Sequence, residues 1–111
     1  MPLKYIRAFN TGSIDAGASH EKEFSLSENW HIKHILLVER SGAGLYNVQV
    51  YIKIGADIIT RDYAPARLFS PDSKYILPID KDVEAGTTIY FKIINNESSA
   101  IDLDVVFVIE E

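Results

Sequence analysis

Residues 86–110 carry the clearest alternation of apolar and polar positions in the chain. Ile89, Phe91 and Ile93 share one phase, and after the polar stretch 96–100 a second run keeps Ile101, Leu103, Val105, Phe107 and Ile109 in one phase. A period of two marks a strand with one buried face, so this stretch predicts two long strands whose apolar sides other strands must cover.

The rest of the chain supplies those strands. Residues 3–9 predict a first one, with Leu3, Tyr5 and Phe9 on one side and Ile6 and Ala8 on the other. Residues 10–19, rich in Gly, Ser and Thr, predict a loop, and residues 20–27 a strand with Phe24 and Leu26 opposite Glu21, Glu23 and Ser25. In residues 30–40 strict alternation puts Trp30, Ile32, Leu36 and Val38 on one face and His31, Lys33, Ile35, Leu37 and Glu39 on the other. The middle of this strand is therefore apolar on both sides, and a helix competes with it. After a break at 41–44, residues 45–54 alternate cleanly: Tyr46, Val48, Val50, Ile52 and Ile54 against Asn47, Gln49, Tyr51 and Lys53. Gly55-Ala56-Asp57 followed by residues 58–61 reads as a tight hairpin. Residues 62–72 read as irregular and 73–79 as a strand that Pro78 confines to an edge or ends. Residues 80–85 read as a polar connection.

Eight antiparallel strands in 111 residues predict one domain, residues 1–111, of the all-β class: a two-sheet antiparallel β-sandwich. The eight-stranded jelly roll is favoured over an immunoglobulin-like Greek key, because the one tight hairpin signal joins the fourth and fifth strands.

Composition narrows the function classes. Apolar residues are 47% and charged residues 24%, an ordinary globular balance. The net charge is −5 and the eleven lysines and arginines never form a run, which argues against direct nucleic-acid binding. There is no cysteine for a disulfide or a thiol nucleophile. No signal peptide and no membrane-spanning segment is expected, so synthesis in a cytoplasm is the default.

The richest candidate is a contact surface. Jelly-roll wiring sets the third and last strands side by side, which would join Ile35 and Leu37 to Val106 and Val108 on one outer face, among Asp102, Asp104 and Glu110. An exposed apolar patch on an antiparallel sheet marks a contact site, here for a homo-oligomer. The competing reading lets residues 62–72 fold over the patch through Leu68 and Phe69. His31 and His34, three apart on a strand, are expected on opposite faces and unable to share an ion; His34 is expected near the core beside Trp30. Asp80, Asp82 and Glu84 read as a solvated acidic turn, with calcium as the competing reading. No catalytic group, metal site or cofactor is expected. Tyr51 and Tyr90 point outward on neighbouring strands and, with Tyr63, Leu68 and Phe69, offer a surface for lateral contacts or a glycan.

The segment from Val83 to Asn95, followed by the alternating acidic-apolar last strand, resembles the closing strands of small β-sandwich modules. The whole pattern is similar to small single jelly-roll virion proteins of the capsid, decoration or head-fibre kind. That resemblance implies a non-enzymatic subunit located in a virion, whose partners are its own copies or other virion proteins. The expected absence of a basic N-terminal arm is a departure from capsid proteins that hold their genome directly, and this favours an outer decoration or fibre role, or a shell that does not touch nucleic acid.

Overall fold

A computed structural model describes residues 4–40, 45–60, 63–70 and 78–110, the side chains of 4 and 5 excepted. Among the described residues nine strands follow in chain order: β1 (Lys4–Ile14), β2 (Ser19–Ser25), β3 (Trp30–Glu39), β4 (Val48–Ile54), β5 (Asp57–Ile58), β6 (Ala64–Pro65), β7 (Lys81–Val83), β8 (Thr88–Asn95) and β9 (Ile101–Glu110). They form two antiparallel sheets packed as a sandwich. The first sheet has the order β1-β9-β3-β7; the second has β2-β8-β4-β5, with β6 paired to β4. β8 and β9, adjacent in sequence, therefore lie in different sheets, and their buried phases face each other across the core.

Alternation sets the core as expected for β4, β8 and β9. Val48, Val50, Ile52 and Ile54 meet Ile89, Phe91 and Ile93 from one sheet and Leu103, Val105, Phe107 and Ile109 from the other, all buried. Where β1 and β2 approach each other, Phe9, Phe24, Trp30 and Phe107 pack together, with the Phe9 and Phe24 rings 4.6 Å apart and Phe107 edge-on to both. The opposite side carries a Lys81–Asp57 ion pair between β7 and β5, one strand from each sheet. At one end the buried Asn95 amide nitrogen donates to the carbonyls of Ile14, Asp15 and Ser99, while its oxygen accepts from Glu97 N–H. One side chain thus ties the β1–β2 and β8–β9 connections together.

Four expectations need correction. Residues 10–14 continue β1 instead of opening a loop. A bulge between Asn10 and Ser13, with Gly12 at φ 71°, keeps the strand paired to β9, and Thr11 Oγ1 accepts from Leu103 N–H. Tyr46 stands in a turn before β4 and is exposed rather than sharing the buried phase of Val48. Part of residues 62–72 is regular: β6 pairs with Gln49 and Val50, and a 3-10 helix, Ala66–Phe69, buries Ala66 and Phe69 in the core. Finally, the polar segment 80–85 contains β7, paired to Trp30, His31 and Ile32. The strand expected over 73–79 falls mostly on residues 71–77, outside the described residues; Pro78 and Ile79 are not in a strand.

The β4–β5 hairpin forms as expected, closed by Gly55 at φ 59°, although β5 is only Asp57–Ile58. Among the described residues no helix is long and apolar enough to cross a membrane.

Candidate functional site

The outer face of the first sheet is set by an irregularity in β3. Between Ile32 and His34 the pairing to β9 slips by one residue. Trp30 and Ile32 point into the core before the slip; Ile35 and Leu37 point into it afterwards, each 1% exposed. The expected outer positions of Ile35 and Leu37 are thus corrected: a β-bulge shifts the phase, and Leu36 and Val38 take the outer face in their place. The same slip puts His31 and His34 on one face, opposite Glu110 and Val108 of β9, so the expectation of opposite faces fails and His34 does not join the core. Val106 and Val108 stand on the outer face, as expected, and are half-buried rather than fully exposed.

Register then assembles a surface. Ile6, Val108 and His34 form one row across β1, β9 and β3; Ala8, Val106 and Leu36 form the next; Asn10, Asp104 and Val38 form the third. Ile6 is 65% exposed. The result is an apolar belt of Ile6, Ala8, Leu36, Val38, Val106 and Val108 across three strands. The cover expected from residues 62–72 lies partly outside the described residues, and its described part, residues 63–70, belongs to the other sheet and the core. There β6 pairs with β4, and Phe69, 4% exposed, is a core residue rather than a cover; Leu68 stays exposed.

Ion pairs bound the belt at both ends. At one end Asn10 Nδ2 donates to Asp102 Oδ1 (2.7 Å) and Asp104 Oδ1 (3.0 Å), and Arg40 Nε lies 3.1 Å from Asp104 Oδ2. The Arg40 hydrogen bond, helped by Asn10, holds the Asp104 carboxyl below the usual carboxylate range. At the other end the Asp82 carboxylate accepts from His31 Nδ1 at 2.6 Å, and Lys33 Nζ lies 2.8 Å from Asp80. The hydrogen bond to Asp82 raises the His31 imidazole, and that to Lys33 lowers the Asp80 carboxyl. An open cleft of about 430 Å³ lies at this end, lined by Trp30, His31, Asp82, Glu84 and Glu110 among others. Asp80 and Asp82 are engaged by His31 and Lys33. Among the described residues no group of three or more His, Cys, Asp or Glu is arranged to hold a metal ion.

The second sheet presents a different outer face. Tyr51 and Tyr90 are outward neighbours, with ring centroids 6.0 Å apart, and Tyr63 joins them 5.8 Å from Tyr51. Tyr90 Oη donates to Glu21 Oε2 at 2.9 Å. Burial, then that hydrogen bond to a carboxylate, pushes the Tyr90 phenol up to about 12. The expected tyrosine cluster is therefore brought together, while Leu68 and Phe69 do not belong to it.

Sequence reasoning missed Ile6, Ala8, Leu36 and Val38 as surface-forming residues. A signal was present: Lys33 and His34 are consecutive polar positions inside an alternating strand, the mark of a phase slip. No protein-family model matches the chain, and no curated protein shows significant similarity to it.

Proposed function

We propose that this protein is a non-enzymatic structural subunit that self-assembles through the outer face of its first sheet, in a jelly-roll fold and in the manner of a virion capsid or decoration protein. One observation carries the reading: the six-residue apolar belt, continuous across β1, β9 and β3, with Ile6 65% exposed at its edge. Apolar area left in water forfeits about 25 cal/mol per Å² that association would recover. Three strands at roughly 4.8 Å spacing and about ten residues each at roughly 3.3 Å give a face of roughly 480 Å². A stable interface buries about 800 Å² per partner. The belt with its ion-paired ends supplies more than half of that, so the whole face takes part.

The sheet orders support the jelly-roll form. β4 and β5 are joined by a tight hairpin, whereas β1 to β2, β2 to β3, β3 to β4, β7 to β8 and β8 to β9 all cross between sheets. The dispersed charge and net −5 suit a subunit that contacts protein rather than a nucleic acid.

The test is a paired substitution, Val106→Thr with Val108→Thr, which keeps shape and β-branching but makes the belt polar. The assembly is expected to dissociate while far-ultraviolet circular dichroism stays that of a β-protein. Electron microscopy of the parent is expected to show closed particles or rings. A mutant that keeps the parent's mass would place the interface elsewhere.

A further inference from the structure

The outer face of the second sheet carries a groove that self-assembly leaves unused. Its floor is Tyr90, which sits in a cross-strand row with Glu23 of β2 on one side and Lys53 of β4 on the other. Tyr51 forms a wall, its ring inclined at 65° to that of Tyr90. Gly55 and Thr88 close one end, and the groove encloses about 340 Å³ while staying open to solvent. That volume falls within the range of small-ligand sites. The hydrogen bond from Tyr90 to Glu21 fixes the floor. Among the described residues neither the Glu23 carboxylate nor the Lys53 ammonium is in an ion pair or side-chain hydrogen bond, so both heads are available to a ligand.

We propose that this groove binds a neutral saccharide, its C–H face against the Tyr51 and Tyr90 rings and its hydroxyls on Glu23 and Lys53. The chemistry of the lining selects that class. A carboxylate and an ammonium on either side of the floor cancel in formal charge, which favours neither a phosphate or sulfate nor a cation. The carboxylate only accepts hydrogen bonds and the ammonium only donates them, whereas a hydroxyl does both. A polyol therefore satisfies the two heads at once, and the tyrosine faces take the apolar side of a sugar ring. The groove lies on the opposite side of the sandwich from the apolar belt, so this assignment stands independently of self-assembly.

The experiment titrates the full chain with cellohexaose, xylohexaose, mannohexaose, maltohexaose, chitohexaose and a heparin hexasaccharide by isothermal titration calorimetry and saturation-transfer NMR. Saturable binding to at least one of the neutral saccharides is expected, weakened about tenfold by Tyr51→Ala and weakened also by Lys53→Met. Lys53 is only partly buried, so Lys53→Met keeps the test valid should Tyr51→Ala fold poorly. No saturable binding at millimolar saccharide would overturn the proposal. So would binding indifferent to both substitutions, or binding confined to sulfated saccharides and lost in high salt.

Discussion

On the outer face of β1, β9 and β3 the side chains turned away from the core include Ile6, Ala8, Leu36, Val38, Val106 and Val108, with Asn10, Asp104, His31, His34 and Glu110 at the two ends. On the outer face of β2, β8 and β4 they include Glu21, Glu23, Tyr51, Lys53, Tyr90 and Lys92. Both faces are produced by the same two-residue period, and both sheets bury equivalent aliphatic residues on the inside. The difference lies wholly in residues that the fold does not need. The second face has charges and hydroxyls suited to water and to a polar ligand. The first has aliphatic groups whose area is recovered only against another surface. The inner phase specifies the sandwich, and the outer phase specifies what the sandwich meets.

The largest effect expected from this contrast comes from neighbouring positions on β3. Ile35→Ala removes a core side chain and should lower stability by about 2–5 kcal/mol in urea unfolding. Leu36→Ala, one residue along but on the outer face, should cost less than about 1 kcal/mol in dilute protein, where no partner covers it. Equal losses would mean that the bulge at Lys33 and His34 does not set the phase.

A smaller effect sharpens the account of the second face. Folding raises the Tyr90 phenol from its ordinary 10.0 to about 12. Its contribution to stability is therefore complete below pH 10 and is lost as pH climbs through about 12. Ultraviolet titration should show one tyrosine ionising last, absent in Tyr90→Phe and shifted to lower pH in Glu21→Gln. A titration unaffected by Glu21→Gln would remove the carboxylate as a cause.

The smallest effect belongs to the end of the first face. His31 is raised above 6.5 by Asp82, so its stabilising contribution is full below pH 6.5 and fades as pH rises through its folded value. Asp82 is exposed and His31 only half-buried, so solvent screens the pair and the change is slight. It should be visible as a loss of pH dependence of the melting temperature in His31→Gln across the neutral range.

How much of this was legible in the sequence depended on whether a strand is apolar on one side or both. β8 and β9 could be read because Tyr90, Lys92, Asp102 and Asp104 fix the outer phase beyond doubt, and the outward tyrosines followed from the same rule. β3 was misread because Ile35-Leu36-Leu37-Val38 is apolar without interruption, so alternation alone leaves the phase undetermined. Only the pairing to β9 decides it. β7 was invisible for another reason: Lys81-Asp82-Val83 has no strand pattern of its own and is held by His31 and its neighbours on β3. Burial of Phe69 depends on the 3-10 turn that aims it inward, which no periodicity announces. Likewise nothing in the polar run 95–100 marks Asn95 as the buried tie between two connections, because two of the carbonyls it donates to, those of Ile14 and Asp15, are distant in the chain.

Light scattering of the purified protein across a concentration series, run beside Leu36→Glu, tests the central claim most directly. The account predicts a discrete oligomer for the parent and a folded monomer for Leu36→Glu, because a carboxylate in the middle of the belt cannot be buried against a partner at tolerable cost. A parent that stays monomeric at every concentration, or a Leu36→Glu protein with the parent's mass, would contradict it.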